Sequence, residues 1–192
     1  MRRVIAGISL LVASCGPRPS PLPAVPFRPT AIVIHSTSGL DRDAAIAAMK
    51  RIGAGVHVLI DANGSVHRLL PNDRMGHAAR GMDDVALHVS VVGGLGAELL
   101  ANPRILEAAA NVVGGFADRL AIPKSNADVI SRRGIFSHQQ AKYRFGGLKR
   151  GEERDRMEPG EDFMKALLGR IGGEFREEKD WVGRGAERWV CV

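Results

Sequence analysis

Aromatic side chains are scarce in this 192-residue chain, at 5% with a single tyrosine. Stacking platforms for single-stranded nucleic acid need rings, so the composition speaks against a nucleic-acid partner. Cysteine is nearly absent: only Cys15 and Cys191 occur, close to opposite ends. Long apolar runs are missing too. None approaches the roughly 20 residues of a spanning helix, which excludes a multi-span membrane protein. Charge of one sign is not in large excess: 27 Lys and Arg against 21 Asp and Glu give +6, and +4 without Arg2 and Arg3. That modest surplus suits a polyanion such as cell-wall polymer or lipid head groups. What is present, 45% hydrophobic and 25% charged residues, is the composition of a globular protein with one ordinary domain plus an anchor or tail.

The N-terminus reads as an address. Met1-Arg2-Arg3 is a short basic start, and Val4 to Ala13 is an apolar stretch of signal-peptide length. Leu11-Val12-Ala13-Ser14-Cys15 closes it in the manner of a bacterial lipobox. This predicts a signal peptide over residues 1–14 and a lipid on the Cys15 thiol; an ordinary signal peptide or an apolar start to a cytosolic chain are the competing readings. Acylation of Cys15 leaves Cys191 unpaired, whereas a Cys15–Cys191 disulfide is the alternative. Residues 15–29 follow as a linker holding six of the ten prolines, an extended spacer at about 3.1 Å per residue. Gly16 rather than Asp after the cysteine favours the outer membrane, facing the periplasm of a bacterial envelope.

The folded domain is expected over residues 30–172, with an extension at 173–192. Ala31 to His35 reads as a buried strand ending in a histidine. Asp41 to Ile52 has helical apolar spacing and acidic residues near its start. Val56 to Asp61 and Ser65 to Leu70 flank Asn63-Gly64, a strong hairpin signal. Further strands are expected at Leu87 to Val92 and within Val129 to Phe136. Helices are expected at Pro103 to Leu120, despite Gly114-Gly115, and at Phe163 to Ile171. Strands and helices interleave, so the chain is expected to form one α/β domain around a sheet.

Six histidines punctuate this pattern. His67 and His88 lie inside strand patterns without a partner motif and read as surface or core residues. His35 closes a buried strand before Ser36-Thr37-Ser38-Gly39, and His138 follows Ile135-Phe136 in the same manner. Two histidines at the ends of neighbouring strands, joined by a carboxylate and a water, would make an open hydrolytic zinc site. The same residues also suit an ordinary core, and spacing alone leaves both readings standing.

Taken in order, Ile32-Val33-Ile34-His35-Ser36-Thr37, Gly55 to Gly64, Gly76-His77-Ala78, Ser137-His138 and Met157-Glu158-Pro159-Gly160 with Phe163 resemble the zinc-dependent N-acetylmuramoyl-L-alanine amidases. That family also includes phage T7-type lysozymes and peptidoglycan recognition proteins. The resemblance spans Thr30 to Leu168. It implies a central mixed β-sheet flanked by helices, a Zn2+ cofactor, and peptidoglycan or muropeptides as partner. It matches His35, His138 and Glu158 to the metal ligands. Arg156 falls at the position of a catalytic lysine that stabilises the oxyanion, His77 at a catalytic and substrate-contacting histidine, and His57 at a residue beside the substrate cleft.

This sequence departs from the family pattern at identifiable positions. Glu158 stands where Asp or Cys is usual, with Asp155 and Asp162 as nearby rivals. Arg156 keeps a lysine's charge in a wider, planar group. The segment between His138 and Glu158 is about ten residues longer than in short members, and its charged run from Lys149 to Arg154 reads as a rim of the cleft. Val92 occupies the position matched to a glutamate general base, and Val56 that of a tyrosine used by T7-type members.

Overall fold

The structure, a computed structural model, describes residues 26–126, 131–146 and 158–177. The signal and lipidation segment, Asp155, Arg156, the run Lys149 to Arg154, Trp181, Trp189 and Cys191 lie outside the described residues. Among those described, no helix is long and apolar enough to cross a membrane.

Five strands alternate with helices: β1 Ala31–Ser36, α1 Arg42–Ile52, β2 Val58–Ile60, β3 Val66–Arg68, β4 Ala86–Val91, α2 Ala97–Leu100, α3 Pro103–Leu120, β5 Gly134–Ser137, α4 His138–Phe145 and α5 Glu161–Arg170. They form one sheet in the order β3-β2-β4-β1-β5. β1 runs parallel to both β4 and β5, and β2 runs parallel to β4; only β3 is antiparallel, to β2. The sheet is therefore mixed, as expected. β1 and β4 are buried along their whole length, which explains their near-continuous apolar runs.

Local chemistry sets the element ends. Asp41 caps α1 by accepting from the Ala44 amide at 2.8 Å, Lys50 and Arg51 lie in its last turn, and Gly53 ends it in a left-handed conformation. Asn102 caps α3, with Pro103 in its first turn. Gly114 survives inside α3 because the helix packs closely there: a Cβ would lie 3.3 Å from Ile171 Cγ2. The hairpin is shorter than its sequence pattern. The assigned strands are only Val58–Ile60 and Val66–Arg68, although the His57 amide still donates to His88 O at 2.9 Å and its carbonyl accepts from Leu69. Two short helices were not legible as such: α2, and α4, which starts directly at the end of β5.

Side-chain alternation divides the sheet into two faces. Ile32, Ile34, Leu87, Val89 and Ile135 pack with Phe116, Phe163 and Leu167 in the larger core, which joins the sheet to α3 and α5. Ala31, Val33, Ala86 and Phe136 form a smaller cluster with Ala79, Met82 and Ala141 on the other face. His35 and His88 follow this second parity. Register completes the arrangement: His35 lies opposite Ser90 on β4, and Ile34 lies opposite Ser137 on β5. One step further, His138 comes level with His35.

Candidate active site

The carboxyl ends of the central parallel strands bring two expected residues together. The rings of His35 and His138 lie 4.7 Å apart, centroid to centroid, and both side chains are buried. His138 begins α4 immediately after Ser137, whose hydroxyl accepts from the Gln140 amide while the Gln140 side chain accepts from the Ser137 amide. This capping box fixes the direction in which α4 departs from β5. Burial, followed by the neighbouring His138 and His88, pushes His35 well below the usual histidine range. The ring is thus neutral near pH 7. Its Nδ1 is buried and has no hydrogen-bond partner among the described residues. A buried imidazole nitrogen without a partner is costly in a plain core and, as an acceptor, is what a metal ligand requires.

Glu158 lies against the same helix start. Its Oε2 accepts from the Gln139 amide at 2.6 Å and its Oε1 from the Gly160 amide at 3.2 Å, while its carbonyl accepts from Ser36 Oγ at 3.4 Å. A carboxylate on the first turn of α4 also suits the helix dipole. Among the described residues, no three His, Cys, Asp or Glu side chains converge on one metal position. The structure therefore supplies two adjacent histidines, with Glu158 bonded to the residue beside His138. Asp162 is exposed on α5.

His77 occupies an exposed rim. Its backbone exchanges two hydrogen bonds with Gly55, and its Nδ1 stands 3.9 Å from Asp83 Oδ2. His57 has a structural role: the ring is fully buried, so it offers no surface to substrate, and both nitrogens are engaged. Nδ1 accepts from the His88 amide at 2.9 Å, Nε2 donates to Arg74 O at 2.8 Å, and Phe27 stacks on the ring. The packed domain thus begins before Thr30. Val56 and Val92 are buried apolar side chains, and the residue level with His35 on β4 is Ser90.

Two polar residues were missed in the sequence. His88 is completely buried on β4, with Nδ1 3.1 Å from His35 Nε2. Its Nε2 stands 3.2 Å from Asp83 Oδ1, off the straight hydrogen-bond line. Asp83 Oδ1 also accepts from the amides of Ala78 and Ala79. Burial opposes its ionisation, but the His88 contact and the two amides outweigh burial and bring its pKa down to about 2. The available signal was His88 itself: a histidine inside a strand buried on both faces must find a polar partner.

Gly76 lets the rim loop close over these rings. A Cβ there would lie 2.8 Å from both Gly55 O and His88 Cδ2, and 3.0 Å from His57 Cε1. Gly76→Ala is expected to destabilise the domain by about 2 kcal/mol through overpacking, read as a lowered midpoint in urea with unchanged m. An unchanged midpoint would show that the loop yields without cost.

Fold and site together define a class: an α/β domain with paired, buried histidines at the carboxyl edge of its central parallel strands. The chain belongs to the N-acetylmuramoyl-L-alanine amidase family, whose model matches residues 26–152. Solved structures agree on the fold. The amidase LysC from Clostridium intestinale superposes with a TM-score of 0.59 at 18% identity, covering 77% of this chain and 88% of that one. Staphylococcus aureus AmiA, in complex with its ligand, gives 0.58 at 16% identity with 80% of each chain covered. AmpDh3 from Pseudomonas aeruginosa, in complex with an anhydromuramic pentapeptide, gives 0.55 at 15% identity, covering 89% of this chain and 70% of that one. No curated protein sequence matches the chain significantly. Family membership gives the domain a peptidoglycan amidase-type function or peptidoglycan binding.

Proposed function

We propose that this chain hydrolyses the amide between N-acetylmuramic acid and L-alanine in peptidoglycan or muropeptides, using a zinc ion held by His35, His138 and Glu158. The observation that carries the reading is the neutral His35 ring beside His138, with a buried Nδ1 that no described residue uses. Zinc, when bound, supplies a water of near-neutral pKa and polarises the scissile carbonyl. The chain's own residues do the rest. His35 presents a neutral ring from the end of β1 and His138 a second imidazole from the start of α4, and the Glu158 carboxylate lies against the Gln139 amide beside it. Arg156 and His77 donate to the oxygen of the tetrahedral intermediate, a contribution of about 3 kcal/mol per donor. His77, exposed and facing Asp83, first takes the proton of the attacking water, then donates it to that oxygen and passes it on to the departing L-Ala nitrogen.

The test pairs zinc content with release of L-Ala-containing stem peptides from purified peptidoglycan, for wild type and His138→Ala. One zinc and peptide release, both lost in the variant, support the amidase. A second reading has its own support: Ser90 lies level with His35 on β4, and Val92 and Val56 are buried apolar side chains where a carboxylate or a phenol would serve as base. In that reading the cleft binds muropeptides without cleaving them, and the same assay would return zinc without release.

We also propose that a lipid on Cys15 holds the domain at the outer membrane, facing the periplasm, with residues 15–29 as the spacer. In a Gram-negative host, Cys15→Ala is expected to abolish palmitate labelling and move the protein from the membrane to the soluble fraction. Labelling that survives the substitution would refute the anchor.

A further inference from the structure

We propose that Asp83 and His88 form a two-step positioning relay that fixes the tautomer of His35, aiming its Nδ1 lone pair at the zinc site. The inference rests on the metal reading above and concerns residues which that reading does not use. Its logic is a count of protons along three side chains.

Asp83 is the fixed end. Its Oδ1 accepts from the amides of Ala78 and Ala79 at 3.0 and 2.8 Å, so the carboxylate cannot turn away from the sheet. His88 Nε2 faces that same oxygen at 3.2 Å. A lone pair there would point at a negative charge, so Nε2 carries the hydrogen even though the contact is bent. A neutral imidazole has one hydrogen only, which leaves His88 Nδ1 as an acceptor. At 3.1 Å it meets His35 Nε2, which must therefore donate. His35 in turn has its single hydrogen on Nε2, and its lone pair lies on Nδ1, the buried atom without a partner.

The second histidine is needed because of distance along the sheet. His35 pairs with Ser90 on β4, and His88 is two residues earlier on the same face, nearer the rim loop that carries Asp83. The carboxylate reaches His35 only through His88. Outer hydrogen bonds of this kind orient metal-bound histidines, and their loss typically weakens metal binding about 10- to 100-fold.

The tautomer is read in the metal-free wild type by long-range 1H–15N correlation at about pH 8, where the rings are neutral. His35 is expected to show a protonated Nε2 and an unprotonated Nδ1. A protonated Nδ1 would overturn the relay. Because this measurement needs no metal, it decides the relay even if the wild type binds no zinc, a result that would sink the metal reading instead. His88→Phe keeps a buried ring and removes the acceptor. It is expected to leave His35 as a mixture of tautomers and to raise the zinc dissociation constant about 10- to 100-fold in chelator competition. A purely structural His88 would lower the melting temperature while leaving tautomer and zinc affinity unchanged, and that pattern also overturns the proposal. If His88→Phe does not fold, the wild-type spectrum alone decides.

Discussion

His138→Ala is expected to remove bound zinc and to lower peptide release by about a thousandfold or more, since the water loses the ion that lowers its pKa to about 7. The metal-free protein supplies the sharper contrast. A ligand pair without its ion is a cluster of desolvated polar rings, with the centroids of His35 and His138 only 4.7 Å apart and a buried Nδ1 unpaired. Removing the buried His138 ring leaves a cavity, so the metal-free variant is itself expected to melt somewhat below wild type. Zinc at a thousand times its dissociation constant adds about 4 kcal/mol to wild type, enough to raise the melting temperature by about 10 °C. In His138→Ala that rise is expected to vanish. Were the two histidines ordinary core residues, zinc would shift neither protein. Thermal melts of both proteins, with chelator and with zinc, separate the two cases.

How much of this was legible in the sequence depended on whether a residue's partner was close along the chain or across the sheet. The helix Pro103 to Leu120 was read to the residue, because Asn102, Pro103 and the 3.6-residue spacing are local signals. His35 and His138 stood out because each ends an apolar run, and parallel strands align such ends. α4 was hidden: it starts at the last residue of β5, so no loop composition marks the change. His57 could be placed beside the cleft but its bonds could not be read, because its partners, the His88 amide and Arg74 O, lie 31 and 17 residues away. Asp83 and His88 meet only when the rim loop folds over β4. The third carboxylate is the least legible part, since Glu158 is arranged by the amides of Gln139 and Gly160, not by a pattern of its own.

The same buried rings make the metal-free protein sensitive to mild acid. His35, His57 and His88 are all pushed below the usual histidine value, in each case chiefly by burial. Unfolding exposes them to water, where each takes up a proton near pH 6.5. Below that pH the unfolded chain holds more protons than the folded one, so stability is complete above about pH 6.5 and falls as the pH drops towards the folded-state values. Each proton contributes a slope of about 1.4 kcal/mol per pH unit, and three give about 4. Against a total stability of about 5–15 kcal/mol, this slope is a substantial loss as the pH falls below about 6.5. Asp83 acts in the same sense lower down: its carboxylate, held at about 2, adds stability that is lost as the pH falls from about 4 through that value. Calorimetric unfolding in buffers of different ionisation heat, at about pH 6, is expected to show uptake of two to three protons. His57→Gln, whose amide can replace both ring contacts, should reduce that uptake by about one. An uptake near zero in wild type would mean that the rings are already solvated in the folded state, and the neutral His35 on which zinc binding depends would go with it.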